Sequence, residues 1–269
     1  MVDLNVYFIT QALISFALSR MIVMQINTKF DLQDSEYKFP YHYLPSLDGN
    51  SVFRLHRHLE WGLDYMTYMS FVTELIYQHM PESLLDVGCG DGRLIHTIKN
   101  FVPKLTGIDL SERAVAFARA FNPEVEILCK DIAELSKQHA MVTLIEVLEH
   151  IPDIQIEGFI GNIASLVQTG GHLLITVPVI NVPLTRKHYR HYSLELIKKA
   201  LKPHFEIQGH WWLYRLGILE QSIQFLLRNR FYILNFSPLL KSIWKIHKRF
   251  TYYADAASGG HLVCLARLQ

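Results

Sequence analysis

The chain has 269 residues, half of them hydrophobic, and a formal net charge of +1. That length suits one large domain or a domain with an added cap, and the apolar fraction supports a sizeable core. The near-neutral balance speaks against a dedicated nucleic-acid binder, and three cysteines (Cys89, Cys129, Cys264) in or beside apolar runs, with no Cys-x-x-Cys pair, point to buried reduced thiols rather than a disulfide framework or structural zinc.

Residues 1–26 form an apolar extension, but between Tyr7 and Ile26 it is broken by Thr10, Gln11, Ser15, Ser19, Arg20 and Gln25. A membrane span wants about 20 apolar residues with few or no charges, and a signal peptide wants a basic start; here the start carries Asp3 and no Lys or Arg. An amphipathic helix or a disordered extension is expected, and Met21 and Met24 offer alternative starts. Residues 27–80 read as a lead-in or cap: loop-rich to about 50, with Phe39-Pro40 and Asp48-Gly49-Asn50, then helical over 51–79 from the spacing of Phe53, Leu59, Leu63, Met66, Met69, Val72, Leu75 and Ile76. Its Tyr41, His42, Tyr43, Arg54, His56, Arg57, His58 and Trp61 suit either a sugar-like acceptor or a packed helix with a wet basic face.

Over 81–269 short apolar runs (83–87, 104–109, 125–129, 141–146, 172–177) alternate with helical stretches (92–100, 111–121, 132–138, 154–168, 193–201), and a sixth strand begins at Phe205-Glu206-Ile207. Such alternation implies a parallel sheet covered on both faces, with its ligand at the carboxyl ends of the strands. Residues 211–250 read as helical, within an insertion spanning about 211–255, and His261 to Leu268 reads as a last strand after Ser258-Gly259-Gly260.

The first strand ends in Leu84-Leu85-Asp86-Val87-Gly88-Cys89-Gly90-Asp91-Gly92. Glycines admit close approach of backbone to ligand, and a helix start offers free N–H groups to an anion. A dinucleotide fingerprint, G-x-G-x-x-G, would need a third glycine where Arg93 stands. Asp109 ends the second strand, 21 positions after Gly88, and Asp131 ends the third. Acids at three successive strand ends match an amine, a ribose and an adenine in order; an N-cap is the lesser alternative for Asp131.

Taken together these segments resemble the class I S-adenosylmethionine methyltransferases over about residues 80–210 plus the last strand. Leu85 to Gly92 is similar to their first motif and Gly107-Ile108-Asp109-Leu110-Ser111 to their ribose segment; Val142 to Asp153, with Glu146-Val147-Leu148-Glu149-His150, resembles the ubiquinone-biosynthesis O-methyltransferase group; Gly170 to Pro178 is similar to the fifth strand and its exit. The resemblance implies a doubly wound, Rossmann-like, mostly parallel seven-stranded α/β sheet with a helical lead-in and helices inserted before the last strand. It implies S-adenosyl-L-methionine as cofactor, held by Asp86, Gly88, Cys89, Gly90, Gly92, Asp109, Leu110, Asp131, Ile132, Ile145 and Glu146, with the loop N–H groups facing the cofactor's carboxylate.

An oxygen acceptor must also lose a proton, which suits a histidine. His150, past the fourth strand, and His188 and His191, past the fifth, are the candidates; Arg190 beside them suits an anionic acceptor, and Ser193 an N-cap. Glu146-x-x-Glu149-His150 with His188 or His191 also resembles metal-dependent enzymes that methylate the 2′-hydroxyl of RNA ends, although metal-free relatives share the spacing, and no metal is expected. Between Glu220 and Asp255 no acid occurs, while Arg228, Arg230, Lys241, Lys245, Lys248 and Arg249 alternate with aromatic and aliphatic residues; such a segment suits a membrane interface, a pocket cap or a dimer. The expectation is a cytoplasmic or membrane-peripheral O-methyltransferase acting on a small or lipid-linked sugar or phenol-like acceptor, with nucleic acid disfavoured. The alternatives are a metal-assisted RNA 2′-O-methyltransferase and a non-catalytic cofactor-binding protein.

Overall fold

A computed structural model describes residues 62–227 and 236–269, with Asp31, Asp34 and the backbone of a two-stranded pair, Ser46–Leu47 against Phe53–Arg54. The expectations for residues 1–26, for most of 27–61 and for 228–235 lie outside the described residues. The elements in chain order are α1 (Gly62–His79), β1 (Ser83–Val87), α2 (Arg93–Ile98), β2 (Lys104–Asp109), α3 (Glu112–Phe121), β3 (Glu126–Cys129), β4 (His139–Ile145), α4 (Ile156–Leu166), β5 (Val167–Pro178), α5 (Leu194–Leu201), β6 (Phe205–Arg215), α6 (Ile218–Leu227), α7 (Ser237–Phe250) and β7 (Gly259–Leu268).

Seven strands form one sheet in the order β3-β2-β1-β4-β5-β7-β6, and β7 alone runs against the others. Each central strand feeds two cores, as a sheet covered on both faces requires. Leu85 and Val87 of β1, with Val142 and Leu144 of β4, pack beneath α4 and α5. Leu84 and Met141, of opposite parity, pack with Tyr68, Val72 and Ile76 of α1 and Leu94 and Ile98 of α2. The order of strands reverses between β1 and β4, so the crevice of a doubly wound sheet opens at their carboxyl ends.

Three local expectations are corrected. The helix expected over 132–138 is a single 3-10 turn, Ile132–Glu134, closed by a capping box between Asp131 and Glu134, because β4 begins at His139 and leaves no room for further turns. Residues 211–215 are strand: β6 runs on to Arg215, with Trp211 and Leu213 facing one core and Trp212 the other. A strand buried on both faces reads as a continuous apolar run, which periodicity does not separate from a helix. Phe53–Arg54 is strand rather than the start of the lead-in helix, which begins at Gly62.

The inserted helices are fastened to α1. Ile223 of α6 and Ile243 of α7 share a cluster with Leu63 and Tyr214. The buried His247 bonds Thr67 Oγ1 at 2.8 Å and Thr251 Oγ1 at 2.7 Å, and burial pushes its pKa down to about 4, so the ring is neutral. No helix among the described residues is long and apolar enough to cross a membrane.

Candidate active site

The glycine loop is built by conformation. Gly88, Gly90 and Gly92 have φ of +71°, +54° and +76°, a region only glycine enters freely. A Cβ added at Gly88 would lie 2.6 Å from Val147 Cγ2, so the loop touches the exit of β4. Four amides of the loop find partners within the protein. Gly88 N and Cys89 N donate to Ile108 O at 2.8 and 3.0 Å, Gly92 N donates to Cys89 O at 2.9 Å, and Gly90 N donates to Asp109 Oδ2 at 2.9 Å. The first two and the last tie the turn back onto β2, and the Gly92 bond closes the turn on itself.

Asp86 lies at the base of the crevice, 2 % exposed, and Thr143 Oγ1 donates to its Oδ1 at 2.7 Å. Burial pushes its carboxyl up to about 7, against the Thr143 hydrogen bond and with help from the Asp109 charge. Asp109 accepts from Gly90 N through one oxygen and from Ser111 N, at 2.8 Å, through the other. Burial raises its carboxyl and these bonds oppose the rise. Asp34 reaches the same corner, accepting from Ser111 Oγ and from Arg113 Nη1. Asp131 is exposed and accepts from Ala133 N at 2.9 Å as the cap of its turn. Leu110 is exposed, Ile132 and Cys89 are buried, and burial pushes the Cys89 thiol well above its ordinary range.

Beside the loop stand Tyr65 and Tyr68, which the sequence did not single out. Arg93 lies over the Tyr65 ring at 5.4 Å, and Tyr65 meets Tyr68 edge-on at 5.4 Å. The Tyr65 hydroxyl is held far above its ordinary range by burial and by Asp91 and Asp86. Just past Ile145, Glu146 takes φ of +56°; its N donates to Thr176, and its Oε1 accepts from Thr176 Oγ1 at 2.8 Å and from His261 Nδ1 at 3.2 Å. His261 Nε2 pairs with Asp64 Oδ1 at 2.7 Å. Burial alone would lower the His261 pKa, but Asp64 and Glu146 outweigh it and hold the imidazolium well above its ordinary range. No composition signal marks Asp64 or His261: they meet only because α1 crosses the start of β7.

The three candidate histidines do come together. The His150 and His188 rings lie 4.8 Å apart, and His188 Nδ1 meets His191 Nε2 at 2.8 Å. His191 Nδ1 is bonded to Val182 O at 2.9 Å, so both of its nitrogens are engaged and it orients His188. Glu149, His150 and His188 have ligand atoms within 4.8 Å of one another, whereas Glu146 turns instead to Thr176 and His261. Burial, then the Glu146 charge, pushes the Glu149 carboxyl well above its ordinary range. Arg190 pairs with Asp153 rather than standing open for an anion, and Ser193 caps α5 by accepting from Leu196 N at 3.3 Å.

A buried carboxyl at the base of the crevice, a glycine cradle that a Cβ would fill and a second carboxylate at the next strand end fit a ligand with an amine and a ribose. The chain belongs to the methyltransferase domain family, which matches residues 61–222. Family and fold together make it a class I methyltransferase with S-adenosylmethionine as cofactor. It is 34% identical over 100 residues to the ubiquinone biosynthesis O-methyltransferase of Coxiella burnetii, covering 35% of this chain and 42% of that protein. Against that of Proteus mirabilis it is 31% identical over 116 residues, covering 40% and 46%. The chain thus spans less than half the length of these curated relatives. The fold is shared with magnesium protoporphyrin IX methyltransferase from Synechocystis PCC 6803 (TM-score 0.56, 16% identity, 89% of this chain and 94% of that one). It is shared also with the N-methyltransferase NodS from Bradyrhizobium japonicum WM9 (TM-score 0.51, 16% identity, 76% and 86%).

Proposed function

We propose that this chain methylates an oxygen of a small or lipid-linked, phenol-like or sugar acceptor at a membrane surface. The observation that carries the oxygen assignment is the 34% identity to ubiquinone biosynthesis O-methyltransferases. Bound S-adenosylmethionine would supply an electrophilic methyl group. Asp86 would take the α-amino group, Asp109 the ribose hydroxyls, and Leu110, Asp131 and Ile132 would border the base; the exit of β4, from Ile145 to His150, would face the acceptor. His150 or His188, oriented by His191, would accept the acceptor's proton. Methyl transfer needs chiefly alignment and exclusion of water, and α1 with its Tyr65–Tyr68 wall closes the crevice for that purpose.

The test is release of S-adenosylhomocysteine by the full chain with a substituted catechol or a methyl glycoside as acceptor. Turnover above the acceptor-free rate is expected with one of them, unchanged in EDTA; no transfer to either overturns the oxygen-acceptor reading. Loss of activity in EDTA would favour the metal-assisted reading that the Glu149, His150 and His188 grouping allows.

The membrane reading rests on the outer faces of α6 and α7. Ile218 and Phe225 are each 85% exposed, and Leu226, Phe236, Leu239, Ile246 and Phe250 are also exposed. Exposed Lys241, Lys245, Lys248 and Arg249 stand among them. Each cation near an anionic bilayer contributes about 1 kcal/mol. The full chain is therefore expected to co-sediment with phosphatidylglycerol vesicles and to be released by high salt, with at least a hundredfold weaker binding when the four cations are changed to glutamate. Equal partition of both proteins would refute it.

A further inference from the structure

Two acids and a histidine meet where α1, the exit of β4 and the start of β7 converge. Asp64 and Glu146 flank His261 at 2.7 and 3.2 Å, and the Tyr68 ring packs on the imidazole at 4.8 Å. Two carboxylates against one imidazolium leave one net negative charge. The arrangement is held from several sides: Glu146 keeps a left-handed backbone conformation, fastened to Thr176 by both its amide and its carboxylate. Its Oε1 is taken by Thr176 and His261, while its Oε2 has no hydrogen-bond partner among the described residues and the side chain is 21% exposed. That open oxygen belongs to the segment seated on the glycine loop, since the next residue, Val147, fills the space above Gly88. Across the crevice, the residue after Asp64 is Tyr65, which lies within the fields of Asp86 and Asp91. The triad is thus joined to the glycine loop through Val147 on one side and Tyr65 on the other.

We infer that the Asp64–His261–Glu146 triad is a charge-selective wall of the cofactor site, favouring the cationic sulfonium of S-adenosylmethionine over the neutral thioether of S-adenosylhomocysteine. The inference rests on the assignment of Asp86 to the methionine end and Asp109 to the ribose, because a ligand held at both places has its sulfur on the open side of the loop, which the β4 exit faces. One net charge beside a partly desolvated cation, at the effective dielectric of a protein site, alters affinity on the order of tenfold. Such a wall would release the spent product once the positive charge has left with the methyl group.

The test is calorimetric, on the full chain, and needs no acceptor. Dissociation constants are measured for S-adenosylmethionine, S-adenosylhomocysteine and sinefungin, which carries an amine in place of the methylsulfonium, with wild type, Glu146→Gln, Asp64→Asn and His261→Gln. The preference for S-adenosylmethionine over S-adenosylhomocysteine is expected to fall about tenfold in Glu146→Gln and about threefold in Asp64→Asn, with sinefungin following the sulfonium. In His261→Gln, where a positive charge is removed, the preference is expected not to fall. A scaffold role would weaken all three ligands together and leave the ratios unchanged. A ratio within twofold of wild type in Glu146→Gln overturns the inference, as does a ratio that falls in His261→Gln. Should Glu146→Gln not fold, Asp64→Asn decides alone, its side chain being 32% exposed at the helix edge. Failure of the underlying assignment shows separately, as Asp109→Ala binding all three ligands with undiminished affinity.

Discussion

Asp109→Ala is expected to bind S-adenosylmethionine about a hundredfold more weakly than wild type, with the fold retained. The carboxylate sits at the end of β2 with each oxygen already accepting one backbone amide, from Gly90 and from Ser111. Each oxygen has a second lone pair, and these are the acceptors that a ribose diol would use. A hydrogen bond to a charged group contributes about 1.5–3 kcal/mol, so losing two of them, partly replaced by water, costs about 3 kcal/mol, roughly a hundredfold in affinity. The loop contributes to the loss as well: without Asp109, the Gly90 amide has no side-chain anchor, and the turn held by Gly88, Cys89 and Ile108 loosens at its far end. Stability should change little, because burial already makes the carboxylate unfavourable there. Asp109→Asn keeps one acceptor oxygen and is expected to fall between the two. Calorimetry measures affinity and thermal unfolding the fold; equal binding by wild type and Asp109→Ala would remove the ribose assignment.

Much of this architecture was legible because its signals are local. A parallel strand buried on both faces must be a short apolar run, and β1 is Ser83-Leu84-Leu85-Asp86-Val87 with every residue buried; the one charge in that run marks the site. The glycine loop followed from the same logic, as did the helix capped by Ser111, whose Oγ accepts from Ala114 N. What periodicity missed were places where tertiary contact decides. Trp211 to Arg215 became strand because β7 offers them a partner from Val263 back to Gly259, and the turn after Asp131 stopped short because β4 begins seven residues after Ile132. Glu146 was among the expected cofactor residues, but its partners Asp64 and His261 were missed for another reason. Asp64, Glu146 and His261 are 82 and 115 residues apart along the chain, and nothing local ties a surface-looking helix acid to a histidine opening the last strand.

The pH dependence of cofactor binding should be carried by Asp86. Its carboxyl is raised from the usual 3.8 to about 7, chiefly by burial. A raised acid holds its proton in the folded protein at pH values where the unfolded chain has lost it. Between about pH 4 and 7 the unliganded fold therefore binds the extra proton, and its stability falls as pH rises through that window, levelling off above about 7. Ligand binding has the opposite sign. The donor's α-ammonium pairs with the carboxylate form, so binding below about pH 7 expels a proton. Affinity is then expected to rise roughly tenfold per pH unit up to that point and to plateau above it. Asp86→Asn should lose this slope and bind on the order of a hundredfold more weakly at pH 8, since an amide offers the ammonium no charge. Thr143→Val supplies the finer check. The Thr143 hydroxyl stabilises the charged form at 2.7 Å, so its removal should move the break in the affinity profile to higher pH while leaving the plateau nearly unchanged. Calorimetry in buffers of different ionisation enthalpy counts the released proton directly. If Asp86→Asn releases as many protons as wild type at pH 6, the carboxyl at the base of the crevice is not the group that meets the amine.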